Sequence, residues 1–545
     1  MTDKELFNLN ISVLIKKDRN LAKKISEADS SKSTYTGITT AKNGMSVVLF
    51  ANSRPMYSLY NPTPRSQTET SEKTFYLVTG LGNGYHFQYL LENGKNRILV
   101  VEKDTHTLKF LFSHQDFSSI LQSPNFLLCT VEELPQKLTE SYIPQTCGIF
   151  NYTANRVWAE NNPETEKNIS DTVQSSLKQI SADYSVQAHF GKIWQRNIIE
   201  NLFILSKQKN TSQVKIPAHK KAAIVAAGPS LDKSIVILTD NRDEYYIIAT
   251  DTASQVLFLN GVVPNAVVSV DGQNISYRHF LKTSSLPNTI YVLDLCANPA
   301  ISKAVANNSG ILHFAASSHP LCAAAAAFFK EQTGTDVFPF LDSSSGTVTG
   351  AALDFAIKAG FANIELFGAD FAYSNGKPYC KGSYLDETFN NSSLRTETQE
   401  TAFSALMFRT PLIYKQNGVT TTETLSQYDS AVQQAALQHA SAAKISKISS
   451  DLQPYTLIVP PNCLKKQILS DFFAETLYNS LNFADFITWI LKSIREAKGK
   501  SQADIITALL PFAAWCEKKG FYQSSKDSFD RVLDLAHDFF KRYTE

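Results

Sequence analysis

The sequence predicts an α/β protein with a Rossmann-like N-terminal domain, a doubly wound, mostly parallel α/β central domain and an all-helical C-terminal region. Three observations lead to this prediction. The chain has 545 residues, which is too many for one hydrophobic core. Short, nearly continuous apolar runs alternate with helical stretches in two separate regions, as parallel strands covered on both faces require. From about residue 431 onward, apolar residues recur at helical spacing.

The first region contains three predicted strands, FYLVT (75–79), RILVVE (97–102) and NFLLCTVEE (125–133). Residues 165–209 have no strand pattern, and their apolar positions recur at helical spacing, which predicts a helical linker. The predicted organisation is a Rossmann-like N-terminal domain (1–160), a helical linker (161–212), a central α/β domain (213–430) and a helical C-terminal domain (431–545).

The second region contains six predicted strands, each an apolar run of the kind that a buried parallel sheet uses. They are AAIVAA (222–227), YYIIAT (245–250), AVVSV (266–270), TIYVLDL (289–295), ILHFA (311–315) and IELFG (364–368).

Composition and charge narrow the function classes. Hydrophobic residues make up 43% and charged residues 19% of the chain, and the net charge is +1 without a dense basic stripe, so no nucleic-acid partner is expected. The seven cysteines are scattered singly, with neither a CxxC motif nor metal-like spacing, which indicates reduced thiols and no metal ligands. The N-terminus lacks a secretion signal pattern, and no apolar stretch approaches membrane-spanning length. A cytoplasmic protein is expected.

The ends of the predicted strands in the second region carry the unusual residues. Gly228, Pro229 and Ser230 follow the first strand and precede a helical pattern. Glycine would let a ligand approach the backbone, proline would fix the turn, and serine would cap the helix, whose unpaired N–H groups form an anion site.

Further polar residues follow other strands of this region. Because ligands of open parallel sheets bind outside the carboxyl ends of the strands, these residues predict a nucleotide pocket. They are Asp251 after the second strand, Asp271 and Gln273 after the third, Ser344, Ser345, Gly346 and Thr347 at a second helix start, and Asp370, Tyr373 and Tyr379 after the last strand.

The stretches VAAGPSLDKSI, SSSGTVTGAALDFAIKAG and LFGADFAYSNGKPY resemble the motility accessory factor (Maf) glycosyltransferases. The central region is also similar to bacterial sialyltransferases that use CMP-sialic acid and, more remotely, to archaeal hydroxymethylpterin pyrophosphokinases. The resemblance to Maf proteins implies transfer of a nonulosonic acid, an acidic nine-carbon sugar, from a CMP donor to serine or threonine of flagellin or another surface protein. It implies no cofactor besides this sugar donor.

The similarity to the sialyltransferases implies roles for individual residues. Gly228, Pro229, Ser230, Ser344, Ser345 and Gly346 would hold the cytidine nucleotide, and Tyr373 and Tyr379 would donate hydrogen bonds to the departing phosphate. This sequence departs from the sialyltransferase pattern in two respects. Ala227 stands where those enzymes have an asparagine just before GPSL. The catalytic histidine that they have further downstream is missing, since no histidine occurs between His319 and His439. The general base is therefore unassigned, with Asp370, Asp386 and Glu387 as candidates.

Two alternative functions stay open at this point. In a pyrophosphokinase, Asp251 and Asp271 would hold Mg²⁺ against the phosphates of ATP. A non-catalytic flagellin-binding protein with a relic nucleotide pocket would explain the absence of the expected histidine.

The N-terminal domain has a glycine loop of its own, VTGLGNG, directly after a predicted strand. Glu102 ends the next strand, 22 residues after Gly80, which matches the spacing of dinucleotide-binding loops. Thr79 occupies the place where methyltransferases that use S-adenosylmethionine usually carry an acidic residue. We interpret the domain as a degenerate Rossmann-like fold that serves as scaffold or binds the acceptor.

Overall fold

A computed structural model of the protein describes residues 2–63, 72–92, 94–208, 220–308, 310–374, 376–415, 419–438, 443–448, 454–458, 481–500 and 502–544. The chain forms two compact units. Unit 1 consists of Met1–Gly191 and Leu510–Leu535, and unit 2 of Lys192–Leu509 and Ala536–Glu545.

Unit 1 contains a parallel sheet with the strand order β5-β4-β3-β6 and a separate antiparallel hairpin, β1-β2. Its strands are β1 (Tyr35–Thr40), β2 (Ser46–Phe50), β3 (Thr74–Thr79), β4 (Arg97–Glu102), β5 (Phe126–Thr130) and β6 (Ile149–Thr153). All six residues of β3 are buried, which is why its sequence has no alternation of apolar and polar residues. The three strands predicted in this region are confirmed.

Several helices belong to unit 1. They are α1 (Asp3–Leu14), α2 (Arg19–Glu27), α3 (Gln88–Glu92), α4 (Thr105–His114), α5 (Ser118–Gln122), α6 (Leu134–Ser141), α7 (Pro144–Cys147), α8 (Arg156–Asn161), the first part of α9 (Pro163–Ser206), α20 (Leu510–Lys518) and the first part of α21 (Asp530–Lys541). A 3-10 turn covers Ser30–Lys32.

Unit 2 is built on a larger sheet with the order β11-β10-β9-β8-β7-β12-β15-β16 among the described residues. All neighbouring strands are parallel except β15 and β16. The strands are β7 (Lys221–Val225), β8 (Tyr245–Thr250), β9 (Ala266–Ser269), β10 (Ile290–Asp294), β11 (Ile311–Ala315), β12 (Asn363–Phe367), β15 (Lys444–Ile448) and β16 (Pro454–Ile458). A small antiparallel pair, β13 (Leu412–Tyr414) and β14 (Thr420–Thr422), lies outside this sheet.

The helices of unit 2 follow the strands as a doubly wound fold requires. They are the last part of α9, α10 (Leu231–Asp240), α11 (Asp251–Leu259), α12 (Pro299–Asn307), α13 (Pro320–Thr333), α14 (Val348–Lys358), α15 (Tyr384–Asn391), α16 (Gln399–Met407), α17 (Glu423–Gln438), α18 (Phe483–Ala497) and α19 (Asp504–Ala508), with 3-10 segments at Arg242–Glu244 and Asn274–Phe280. Helix α14 is buried along Thr349–Ile357, which fixes its N-terminus at one edge of the sheet.

The predicted fold class is confirmed, including all six predicted strands of the central region. The region from residue 431 differs from the prediction in one respect, because strands β15 and β16 lie where only helices were expected. The sequence of β15, KISKI, contains two lysines and is buried at three of its five positions, so it lacks the continuous apolar run that marks the other strands. No helix within the described residues is long and apolar enough to cross a membrane.

Candidate active site

The candidate site lies where the sheet of unit 2 changes direction. Strands β7 to β11 progress along the chain toward one edge of the sheet, whereas β12 returns to the other side of β7. Ligands of open α/β sheets bind outside the carboxyl ends of two such strands. Gly228 follows β7 and Gly368 follows β12, and the N–H of Gly228 donates a hydrogen bond to the Gly368 carbonyl at 2.8 Å.

The turn after β7 is held by Asp370, not by its own serine. The carboxylate of Asp370 accepts a hydrogen bond from the backbone N–H of Ser230 at 2.7 Å, at the start of helix α10. The Ser230 side chain makes no capping hydrogen bond, and its hydroxyl is buried without a protein partner. The predicted serine cap is therefore wrong, and Asp370 provides the negative charge at this helix N-terminus.

The space beside Gly228 is occupied by the protein itself. A Cβ atom at this position would lie 2.5 Å from Asp370 Oδ2 and would also overlap the Gly368 carbonyl oxygen. Because Gly228 has no side chain, the segments that follow β7 and β12 can approach each other closely. This differs from the expectation that Gly228 mainly makes room for a ligand, although Pro229 and Ser230 next to it are only half-buried.

We expect Gly228→Ala to lower the free energy of unfolding by about 1–3 kcal/mol, because the added methyl group forces the two strand ends apart. Urea denaturation measures this loss. Gly37→Ala is the control, since a Cβ there meets no atom within 4 Å, and its effect should stay within about 0.5 kcal/mol. Equal effects of the two substitutions would show that the close approach at Gly228 does not matter for stability.

Two carboxylates follow β8 and β9 at the same edge. Asp251 is buried, and it accepts hydrogen bonds from the Ser269 hydroxyl at 2.8 Å and the Thr252 N–H at 2.7 Å. Burial raises its pKa to about 6. Asp271 accepts from the Gln273 N–H at 2.9 Å, and its pKa is raised by burial and by the nearby charge of Asp251.

One of the predicted tyrosines, Tyr379, lies close enough to Asp251 for the two side chains to interact electrostatically. Burial raises the pKa of Tyr379 to about 12, and Tyr384, Asp251, Tyr373 and Tyr428 are close enough to raise it further. The neighbouring Cys380 N–H donates to the Ala227 carbonyl at 2.9 Å, which ties this loop to the end of β7. The backbone of Tyr373 pairs with Thr420 of β14. Asn375, which lies between the two tyrosines in the sequence, is outside the described residues.

The serine-rich loop meets the same cluster through Tyr428. A Cβ on Gly346 would lie 3.2 Å from the Tyr428 ring, so ring and loop are in contact. Thr347 caps helix α14 by accepting a hydrogen bond from the Gly350 N–H at 3.0 Å, as a helix start there predicts. Ser344 and Gly346 are exposed, and Ser345 is half-buried with its hydroxyl 3.4 Å from that of Thr347.

The structure also adds residues that the sequence analysis missed. The ring of His279, in the 3-10 segment after β9, lies edge-on to the Tyr384 ring with centroids 4.5 Å apart, and its Nδ1 is buried without a hydrogen-bond partner. Burial lowers the pKa of His279 to about 4, and the charge of Asp271 partly opposes this. His279 precedes Tyr384 by about a hundred residues in the chain, so only the fold reveals the contact.

The remaining candidates for the general base have structural partners. Asp386 accepts hydrogen bonds from the Gly382 N–H at 2.8 Å and from Gln399 Nε2 at 2.7 Å. Glu387 pairs with Lys282 at 2.6 Å and accepts from Gln255 at 2.9 Å. Asp370 likewise accepts from the Ser230 N–H, so all three carboxylates already have hydrogen-bond partners within the fold.

The glycine loop of unit 1 has no comparable open site. The indole of Trp158 covers Gly80, since a Cβ there would lie 2.5 Å from its Cδ1 atom, and Tyr57 and Met56 cover Gly82 in the same way. Glu102 is fully buried and accepts hydrogen bonds from Trp158 Nε1 at 3.0 Å and from the Leu81 N–H at 2.8 Å. The protein's own side chains thus occupy the place where a dinucleotide-binding loop holds its ligand.

Comparisons with known proteins agree with this architecture. A family model described as "6-hydroxymethylpterin diphosphokinase MptE-like" matches residues 196–376, which span the site strands and Tyr373. An uncharacterized protein of Treponema pallidum (strain Nichols) is 30% identical over 273 residues, which are 48% of this chain and 81% of the relative. The chain belongs to the family of this treponemal protein. A second uncharacterized protein of the same organism is 37% identical over 145 residues, 26% of this chain and 67% of that protein.

A solved structure has the same fold as this chain. The structure of a Maf glycosyltransferase from Magnetospirillum magneticum AMB-1 matches with a TM-score of 0.57 and 14% identity, covering 100% of this chain and 97% of that chain. The predicted resemblance to Maf glycosyltransferases is confirmed as a likeness of fold. The predicted similarity of the central region to hydroxymethylpterin pyrophosphokinases is confirmed by the family model.

Proposed function

We propose that the protein is a glycosyltransferase that moves a nonulosonic acid from a CMP donor to serine or threonine of flagellin or another surface protein. The observation that carries this proposal is the grouping of Tyr373 and Tyr379 with the serine-rich loop at the direction change of the sheet. The fold shared with a Maf glycosyltransferase supports it.

The nucleotide would bind between the turn after β7 and the start of α14. The Ser230 hydroxyl is buried and has no partner in the protein, and a nucleotide bound beside it would supply one. Ser344, Ser345 and Gly346 present hydroxyl and backbone groups at the N-terminus of α14, which favours a phosphate there. Asp370 occupies the N-terminus of α10, so the phosphate belongs at the serine-rich loop.

The tyrosines are suited to assist the departing CMP. A pKa of about 12 keeps Tyr379 protonated at neutral pH, so its hydroxyl donates a hydrogen bond to the phosphate as negative charge develops there. Burial also raises the pKa of Tyr373. The bond from the anomeric carbon to the phosphate oxygen breaks, and its electron pair leaves with CMP.

We assign removal of the acceptor's proton to His279. Burial lowers its pKa to about 4, so the imidazole is neutral at physiological pH, and its Nδ1 atom has no hydrogen-bond partner in the protein and would accept the proton. The acceptor hydroxyl oxygen forms the new bond to the anomeric carbon while its proton moves to the ring. A nearby Asp271 carboxylate stabilises the resulting imidazolium.

A diphosphokinase is the second candidate, favoured by the family model over residues 196–376. It would need Mg²⁺ at Asp251 and Asp271. Asp251 is buried, and one of its oxygens accepts from the Thr252 N–H while the other accepts from the Ser269 hydroxyl. This donor set does not fit Mg²⁺ well, since the ion would displace contacts within the fold, so we derive no step through a metal here.

Titration of the full chain with CMP, with and without EDTA, tests the proposed function. We expect saturable CMP binding that EDTA does not alter, and transfer of sugar to an acceptor protein detected by its mass increase. The variant His279→Gln should keep CMP affinity and lose transfer. Absence of CMP binding, together with EDTA-sensitive binding of ATP, would replace the glycosyltransferase by the diphosphokinase.

A further inference from the structure

Three soft ligand side chains meet at the carboxyl ends of β10 and β11. Cys296 follows β10, His319 begins helix α13 and Cys322 lies in its first turn. One ligand atom from each side chain lies within 4.8 Å of the others. Both cysteines are buried, with exposures of 5% and 0%. In the sequence these residues are too far apart to form a metal-binding motif, so the cluster arises only from the fold.

The distance between the two sulfur atoms matches a shared metal ion. Cys296 Sγ and Cys322 Sγ are 3.6 Å apart. Two thiolates at about 2.3 Å from one tetrahedral Zn²⁺ are about 3.8 Å apart. A disulfide would bring them to about 2.05 Å. The observed separation is therefore close to that of a metal-bound pair.

His319 supplies an independent observation. Its Nε2 atom is buried and has no hydrogen-bond partner, while Nδ1 accepts from the Leu321 N–H at 3.2 Å. The Trp194 ring packs edge-on against this imidazole with centroids 5.5 Å apart. A buried nitrogen without a partner costs stability unless a ligand satisfies it. Coordination through Nε2 would move the ring proton to Nδ1 and give up the contact with Leu321.

We propose that Cys296, His319 and Cys322 bind Zn²⁺, with the fourth coordination position left for a water molecule. Two thiolates and an imidazole form a donor set that binds Zn²⁺ in preference to hard cations such as Mg²⁺. Binding releases the two thiol protons to solvent. This proposal does not depend on the proposed glycosyltransferase function.

The ion would stabilise a wall of the candidate active site. The Cys296 loop continues to Asn298, whose N–H donates to the Asp271 carbonyl at 3.1 Å and whose side-chain amide donates to the Gln273 carbonyl at 3.2 Å. Cross-linking the loops after β10 and β11 therefore limits the movement of the loop that carries Asp271.

Metal analysis of the full chain, purified under reducing conditions without chelator, tests the proposal. We expect one Zn²⁺ per chain. After removal of this metal, added Co²⁺ should give the visible bands of a tetrahedral ion and a near-ultraviolet thiolate charge-transfer band. The double variant Cys296→Ser/Cys322→Ser should lose that band. Loss of a residue that only supports a metal ligand weakens metal binding by about 10–100-fold. Cys322→Ser alone removes a ligand and should weaken Co²⁺ binding by more than this.

Cys129→Ser is the matched control, because Cys129 is a buried free thiol in unit 1, and it should keep the Co²⁺ bands. The titration of the unmodified chain needs no variant to fold. Co²⁺ without a charge-transfer band would overturn the proposal. So would a Cys296–Cys322 disulfide mapped by mass spectrometry in freshly isolated protein, which would show a redox pair in place of a metal site.

Discussion

Replacing Tyr379 with phenylalanine is expected to lower turnover by about 10²–10³-fold while affinity for the CMP-sugar donor stays nearly constant. The substitution keeps the packing of the ring and removes only the hydroxyl. That hydroxyl contributes mainly in the transition state, when charge builds on the leaving phosphate. Single-turnover rates and donor titration, measured on the same preparation, separate the two effects. Tyr373→Phe should act in the same direction.

A matched control comes from the same sheet. Tyr246 in β8 is buried, and its hydroxyl has no hydrogen-bond partner, so Tyr246→Phe removes an oxygen that contributes nothing to the site. Its turnover should equal that of the unmodified protein. Normal turnover in the double variant Tyr373→Phe/Tyr379→Phe would refute the role of the tyrosines. It would leave the diphosphokinase as the better account.

Much of the fold could be predicted because most strands of both parallel sheets are buried on both faces. Strands such as YYIIAT, buried at all six positions, contain mainly apolar and aromatic residues, and this leaves a recognisable run in the sequence. The strand KISKI has only five residues, three of which are polar, so a search for apolar runs misses it. The same holds for the short pair β13 and β14, whose strands have three residues each.

The site could be predicted only where one strand end supplies the residue. Parallel strands place their carboxyl ends at a common edge, so Asp251, Asp271 and Tyr373 could be assigned to one pocket from their positions after strands. His279, Tyr428 and the group around Cys296 reach this edge through loops and helices whose packing the sequence does not reveal. The hydrogen bond by which Asp370, and not the Ser230 side chain, holds the start of α10 also joins residues 140 positions apart.

Replacing Trp158 with alanine is expected to lower the free energy of unfolding of unit 1 by about 3–5 kcal/mol, as for other large-to-small substitutions of buried aromatic residues. Trp158 is fully buried, and its indole fills the space over Gly80. Its removal also takes one hydrogen-bond donor from the buried carboxylate of Glu102, whose pKa is raised by burial. Urea denaturation followed by circular dichroism measures the loss.

Trp158→Phe separates the two contributions, because it keeps most of the ring and removes only the N–H donor to Glu102. Its cost should be smaller, about 1.5–3 kcal/mol for one lost hydrogen bond to a charged group, because Glu102 still accepts from the N–H groups of Leu81 and Lys103. The unmodified chain should bind neither NAD nor S-adenosylmethionine at unit 1, since Trp158, Tyr57 and Met56 occupy the positions over the glycine loop. Two results together would contradict this: binding of NAD or S-adenosylmethionine to the unmodified chain, and unchanged stability of Trp158→Ala. They would mean that the indole moves aside for the ligand. The glycine loop would then be a functional nucleotide site, and our interpretation of unit 1 as a scaffold or acceptor-binding domain would be wrong.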